Sequence, residues 1–73
     1  MTLAVTSDRA LAIARLDAEQ VYRDLERFRI LIALEPDGWH VEYWLKDPNV
    51  QGGGPHYVVD ANTGAILSKK YYQ

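Results

Sequence analysis

The sequence lacks cysteine, a long apolar run and a basic charge balance. Without cysteine, the 73-residue chain has neither a disulfide framework nor a cysteine-based zinc finger to stabilise it. No apolar stretch approaches the roughly 20 residues that cross a bilayer, so we expect no membrane association. The formal net charge is −2, and because phosphate contacts need a basic surface, we expect no nucleic-acid partner.

The N-terminal sequence MTLAVTSDRA also lacks the basic start and the apolar stretch of a secretory signal. We therefore expect a cytoplasmic protein. A periplasmic or secreted location is the alternative if an export signal has been removed, and the absence of cysteine fits either compartment.

What remains is the composition of a small folded domain. Apolar residues make up 48% of the chain and charged residues 25%, which is ordinary for a globular protein. No linker or internal repeat divides the sequence, so we predict a single domain over residues 1–73. A chain this short buries only about 60% of its unfolded surface, so its core is thin. Packing alone, or packing assisted by a second copy, must stabilise it.

Residues 7–26 are predicted to form an amphipathic helix, with Thr6 or Ser7 as its N-cap and no internal glycine or proline. At about 100° per residue, one helix face collects an apolar stripe. Its small alanines would let the helix lie close to a sheet. The stripe consists of Ala10, Leu11, Ala14, Ala18, Val21, Tyr22 and Leu25.

Two apolar residues of this helix lie outside the stripe. Ile13 and Leu16 fall on the far side, and two interpretations fit them. Either the N-terminal arm covers them through Leu3 and Val5, or they form a dimer contact. The charged residues, Asp17 among them, spread over the rest of the helix surface.

After the helix, the apolar period changes from 3.6 to 2, which is typical of β-strands. FRILIALE and WHVEYWLK form a hairpin around the turn EPDG, in which Gly38 takes a positive φ. HYVVD and AILSKKYYQ are two further strands around the turn ANTG. There Asp60 and Thr63 can bond turn amides, and Asn62 and Gly64 can take left-handed conformations.

The predicted fold class is α+β, in which one N-terminal helix packs on a four-stranded antiparallel β-meander. The apolar faces of the hairpin strands should meet the helix, and the other face of the sheet stays open. Alternation places Trp44 and Leu31 on the open face, together with Val58 or Val59. Large exposed apolar side chains often mark binding surfaces. The alternative is that the C-terminal tail folds over them.

The run Gly52, Gly53 and Gly54 precedes Pro55 and a strand, not the Lys-Ser/Thr and helix of a phosphate-binding loop. We interpret it as a flexible turn or bulge. Close approach of the backbone to a partner, or to the Trp44 indole, would explain three glycines in succession.

Catalytic and metal-binding patterns are weak in this sequence. Ser68 lies in a terminal strand without the glycine-framed turn of an activated nucleophile. His40 and His56, on neighbouring strands, could bind a metal with Glu42 or Asp60, but this spacing is not specific. Solvent-facing histidines are the simpler interpretation. We therefore expect no enzymatic activity, no cofactor and no metal.

Two stretches, DGWHVEYWL and GGGPHYVVDANTGAIL, resemble a known family pattern. They are similar to PepSY-type domains, in which an alanine-rich helix precedes such strands, and more closely to small immunity proteins with the nuclear-transport-factor-2 fold. The resemblance implies a cystatin-like fold. The first family implies an exported, non-catalytic module that binds or inhibits peptidases, and the second a cytoplasmic antidote to a secreted toxin. The matching positions are Trp39, Val41, Gly53, Gly54, Tyr57, Asp60, Thr63, Gly64 and Leu67.

We therefore expect a non-enzymatic protein-binding module whose partner is a peptidase or a toxin. The alternative is a structural homodimer joined through the open sheet faces or through the patch of Ile13 and Leu16. The predicted contact residues, with Trp44 as the anchor, are Leu31, Trp44, Gly52, Gly53, Gly54 and His56. The residues predicted to have a structural role in the last turn are Asp60, Asn62, Thr63 and Gly64.

Overall fold

One helix is followed by four strands in the part of the chain that the computed structural model describes, residues 4–47 and 53–71. All neighbouring strands pair antiparallel in the order β1-β2-β3-β4. The predicted α+β class, with one helix on a four-stranded meander, is confirmed. Within the described ranges no helix has the length and apolarity needed to cross a membrane. The elements are α1 (Ser7–Val21), β1 (Phe28–Glu35), β2 (Gly38–Leu45), β3 (Gly53–Val59) and β4 (Ile66–Lys70).

α1 begins at the predicted N-cap but ends earlier than predicted. The Thr6 hydroxyl caps it by accepting a hydrogen bond from the Arg9 amide at 3.2 Å. After Val21 the backbone becomes extended at Tyr22. The Asp24 carboxylate then accepts a hydrogen bond from the amide two residues ahead at 2.9 Å, a local turn that competes with helical bonding. The predicted continuation of the helix beyond Val21 is therefore wrong.

Three alanines form the contact between α1 and the sheet. Ala10, Ala14 and Ala18 are all 0% exposed, and their spacing of four residues places them on one side of the helix. Because each carries only a methyl group, the helix backbone lies close to the sheet. Together with Val5 they pack against the two middle strands, whose core residues are Val41, Tyr43, Tyr57 and Val59.

The helix covers the middle of the sheet and leaves much of β1 uncovered. It packs on β2 and β3, because a helix roughly 10 Å wide spans about two strands that lie about 4.8 Å apart. Ile30 and Leu34, on the helix side of β1, therefore stay 44% and 48% exposed. The expectation that the apolar faces of both hairpin strands meet the helix is correct for β2 and wrong for Ile30 and Leu34.

The N-terminal arm is fixed to the sheet beside the helix. Val5 is buried, its carbonyl oxygen accepts a hydrogen bond from the Trp39 indole at 3.0 Å, and its amide donates to the turn after β3. Ile13 is half-buried against the core, whereas Leu16 is 65% exposed. Leu3, predicted to share in this cover, lies outside the described residues.

The β3–β4 turn forms largely as predicted. The Asp60 carboxylate accepts hydrogen bonds from the amides of Thr63 at 2.9 Å and Asn62 at 2.7 Å, and both hold the pKa of Asp60 below its usual value. The Thr63 hydroxyl accepts a hydrogen bond from the Ala65 amide, and Gly64 has a φ of +80°. Asn62 does not take the predicted left-handed conformation, because among the described residues only glycines have a positive φ.

A hydrogen-bonded carboxylate joins the helix to the C-terminal half of the sheet. Asp17, on α1, has 16% of its side chain exposed. One of its oxygens accepts hydrogen bonds from the hydroxyls of Tyr71 and of Tyr57, the latter at 2.9 Å. The Lys69 ammonium donates to the other oxygen at 3.3 Å. The expectation that Asp17 belongs to the solvated helix surface is therefore wrong.

This arrangement lowers the pKa of the carboxyl and raises the pKa of its donors. The Tyr71 hydrogen bond, supported by those from Tyr57 and Lys69, holds the pKa of Asp17 below its usual value. Burial and the bond to Asp17 raise the pKa of Tyr57. The same carboxylate raises the pKa of Tyr71 and of Lys69. At neutral pH Asp17 is therefore a charged acceptor that faces two neutral hydroxyl donors.

Asp17→Asn should lower the free energy of unfolding by about 1.5–3 kcal/mol at neutral pH, the usual range for hydrogen bonds to a charged group. Because folding lowers the pKa of Asp17, its contribution is complete above the pKa of the unfolded state and is lost as the pH falls through the folded value. Urea denaturation should therefore show wild-type stability falling more steeply than D17N stability between about pH 5 and pH 2.

Glu19→Gln is the matched control, since it removes the same charge from the same helix. Glu19 accepts a hydrogen bond from Arg15 at 2.8 Å on the exposed surface, where such a pair contributes about 0.3–0.5 kcal/mol. An equal loss of unfolding free energy in D17N and E19Q would contradict the role of Asp17. So would a plot of D17N stability against pH that runs parallel to the wild-type plot in acid.

Part of the glycine run belongs to β3 and not to the predicted loop. β3 begins at Gly53. Gly54 is buried, and a Cβ atom there would lie 2.8 Å from a ring carbon of Phe28 and 2.8 Å from Cβ of Tyr43. At Gly53 the nearest side-chain atom would be a ring carbon of Trp44, at an ordinary 3.7 Å. Only glycine fits at position 54, because the backbone there lies directly against core side chains and not against a partner or the Trp44 indole.

Gly54→Ala should lower the free energy of unfolding by about 1–3 kcal/mol, because the added methyl group overpacks the core against Phe28 and Tyr43. Gly53→Ala is the matched control. Its methyl group meets only ordinary contacts and restricts the unfolded chain, so stability should change by less than about 1 kcal/mol. Guanidinium denaturation measures both variants, and a larger loss in G53A than in G54A would refute this packing.

Candidate functional site

The face of the sheet opposite α1 gathers the alternate side chains of all four strands. Directly opposite residues of antiparallel strands share a face. The register pairs Glu42 with Leu31 on one side and with His56 on the other, and His56 in turn pairs with Lys70. This open face carries Arg29, Leu31, Ala33, His40, Glu42, Trp44, His56, Val58, Ser68 and Lys70.

A shallow groove of about 180 Å³ crosses the open face from β2 to β4. Small-molecule sites usually enclose about 300–1,000 Å³, so the size of this groove favours a single side chain of a partner over a cofactor. Its lining mixes charged, imidazole, hydroxyl and apolar groups. The lining residues are His40, Glu42, His56, Tyr57, Val58, Ser68 and Lys70.

Trp44 is the large aromatic side chain of the open face, where alternation predicted it. Its indole N–H donates to the Glu42 carboxylate at 3.0 Å. Its ring centroid lies 5.0 Å from the centroid of the His56 ring. The half-buried indole is therefore held in one orientation by its neighbours. An anchor that is already ordered loses less side-chain entropy when a partner binds.

The C-terminal tail, as far as it is described, turns to the helix side of the sheet. Tyr71 donates a hydrogen bond to Asp17 on α1. The alternative in which the tail covers Trp44 is therefore wrong for the residues up to Tyr71. The open face keeps its apolar surface, with Leu31 53% exposed.

The predicted contact residues do not all lie on this face. Gly53 is directly opposite Trp44, and the His56 ring packs against the indole ring at a tilt of 54°. Gly54 is buried against the core, so its assignment to a partner contact is wrong. Gly52 lies outside the described residues. Of the two valines in β3, Val58 lies on the open face, whereas Val59 belongs to the core.

His40 contacts the turn between β1 and β2, and His56 contacts the Trp44 ring. Nε2 of His40 lies 2.7 Å from Oδ1 of Asp37, and this hydrogen bond lowers the pKa of Asp37. Among the described residues no three metal-ligating side chains form a group that could hold an ion. Ser68 is directly opposite Val58 and not a histidine, so the register does not pair a nucleophile with a base.

Sequence reasoning placed Trp44 correctly but did not find the groove beside it. Ser68 and Lys70 reach the groove only through the register of β4, which shifts by one residue at a bulge next to Val59. A slip of one residue would turn both side chains to the helix side. The alternation of Ser68 and Lys70 is the only local signal, and it does not show which face they take.

No protein-family model matches this chain, and comparisons with curated proteins and with solved structures find no match either. The resemblance to PepSY-type domains and to small immunity proteins therefore stays a prediction, as does the cystatin-like label. The geometry of the open face is the basis for assigning a function.

Alanine variants of Trp44 and Tyr43, neighbours on opposite faces of β2, should separate surface from core. Tyr43 is 1% exposed, and Tyr43→Ala should lower the free energy of unfolding by about 3–5 kcal/mol. Trp44→Ala removes a half-buried ring and one hydrogen bond and should cost about 1–2 kcal/mol. Urea denaturation measures the free energy of unfolding of both variants. An equal loss in the two would show that Trp44 is a core residue.

Proposed function

We propose that this protein is a non-enzymatic protein-binding module that contacts its partner through the open face of the sheet. One observation carries the proposal. Trp44, oriented by its hydrogen bond to Glu42, stands on the face of the sheet opposite α1, beside the exposed Leu31. Tryptophan is enriched among the residues that dominate protein–protein binding energy.

The chemistry around this anchor fits a polypeptide partner. The groove has room for one side chain, and its walls present charges of both signs through Glu42 and Lys70. His40 and Ser68 add groups that can donate or accept hydrogen bonds. An apolar centre with a mixed polar rim is the usual anatomy of a protein interface.

The finer assignment is a peptidase or a toxin as the partner, which the module would inhibit by occupying part of its surface. The sequence resemblance to PepSY-type domains and to immunity proteins supports this assignment. Inhibition of this kind requires only binding and no reaction catalysed by the module. The assignment predicts that the partner loses its activity in the complex.

Photo-crosslinking in cells that produce the protein tests the binding surface. A benzophenone amino acid at Ser68 should give one crosslinked partner, because this position lies on the open face. The matched control carries the same group at Leu16, which is 65% exposed on α1. Adding Trp44→Ala should reduce the Ser68 crosslink roughly tenfold or more, as expected when a binding hot spot is truncated.

Equal crosslinking from Leu16, or a Ser68 crosslink that W44A leaves unchanged, would place the binding surface elsewhere. The captured partner is then identified by mass spectrometry and assayed with and without the purified module. Loss of its activity, restored by W44A, supports inhibition. Full activity in the complex would refute the inhibitor assignment while leaving the binding surface standing.

A further inference from the structure

We propose that the outer edge of β1 pairs with the same edge of a second copy of this chain, so that the two sheets join into one continuous antiparallel sheet. This surface is the edge of the sheet, separate from the open face that we assign to another protein. The proposal does not rest on the proposed function.

β1 has the features of an edge strand that pairs further. It lies at one end of the strand order in the described chain and runs for eight residues without a bulge. Ile30, Leu31 and Leu34 along it are 44%, 53% and 48% exposed. Long apolar edges tend to recruit another strand unless charges, prolines or bulges block them.

β4, the opposite edge, carries the features that block pairing. It has only five residues, its register with β3 shifts at a bulge, and it ends in Lys69 and Lys70. Both lysines would bring like charges together if two copies of this edge met. The contrast between the two edges selects β1 as the edge that pairs.

The backbone groups on the outer side of β1 belong to its even-numbered residues. The Lys46 amide donates to the Arg27 carbonyl oxygen at 2.9 Å. Because inward and outward groups alternate along a strand, the odd-numbered residues bond to β2. The N–H and C=O groups of Ile30, Ile32 and Leu34 therefore point outward.

A two-fold axis perpendicular to the sheet, midway between Ile32 of one copy and Ile32 of the second, satisfies these outward groups. Ile32 then pairs with Ile32 of the second copy, and Ile30 pairs with Leu34 in both directions, which are hydrogen-bonded positions of an antiparallel ladder. In the same register Arg29 lies opposite Glu35 twice, so the exposed charges at the two ends of the strand are complementary.

This self-complementarity argues for a second copy as the occupant. The pairing also brings Leu34 of the second copy next to Ile30, on the side of β1 that α1 leaves uncovered. A cleft between α1 and β1 opens there, lined by Leu11, Arg15 and Tyr43 together with Ile30. The second copy would cover apolar surface that the short helix does not reach.

Sedimentation velocity of the full chain, from micromolar to submillimolar concentration, tests the pairing. Wild type should form a dimer. Arg29→Glu places two carboxylates opposite each other at both ends of the interface and should weaken the dimer roughly tenfold or more. Glu35→Arg should do the same, and the double variant R29E/E35R should restore the dimer. Arg23→Glu, the same charge change at an exposed position outside the sheet, is the matched control.

A wild type that stays monomeric throughout this range would overturn the proposal. So would a dimer that R29E leaves unchanged, or one that the double variant fails to restore, because either places the interface elsewhere. Trp44→Ala should leave the dimer intact, and its dissociation by W44A would point to pairing through the open faces instead. A dimer that survives W44A while the Ser68 crosslink is lost would support the edge and the open face independently.

Discussion

One contact organises this small fold, the approach of a three-alanine stripe on α1 to the two middle strands of the sheet. Only methyl groups separate the helix backbone from the aromatic and valine side chains of β2 and β3. A domain this small has a thin core with few packed residues. The contact between the alanine stripe and the sheet therefore sets the position of the helix. That position in turn decides what the helix covers and what it leaves uncovered.

The position of the helix also creates a polar link that compensates for the thin core. Asp17 lies on the part of α1 that faces β3 and the C-terminal end of the sheet. There its carboxylate accepts hydrogen bonds from the Tyr57 and Tyr71 hydroxyls and from the Lys69 ammonium. Removing a charge from water is unfavourable unless it is well hydrogen-bonded. Three donors from elements far away in the chain meet that requirement and hold the last strand against the helix.

Among the described residues two apolar surfaces remain uncovered, and they differ in chemistry. The open face presents side chains, with Trp44 as a fixed aromatic group among polar neighbours, and suits recognition of another protein. The edge of β1 presents backbone groups and a self-complementary charge pattern, which suits a copy of the same chain. The open face lies opposite α1, and the edge of β1 lies beyond the two middle strands that the helix is wide enough to span.

Local patterns in the sequence sufficed for the order of the elements, the start of α1, the β3–β4 turn held by Asp60 and Gly64, and the face taken by Trp44. Each of these follows from contacts between near neighbours or from alternation along one strand. The end of α1, the role of Asp17 and the burial of Gly54 did not follow. Asp17 meets donors 40 and more residues away, and such contacts leave no trace in local periodicity. The end of α1 coincides with a local turn, in which the Asp24 carboxylate accepts a backbone hydrogen bond. Tertiary packing decided the role of Asp17 and the burial of Gly54, because strand register and helix width determine which side chains meet.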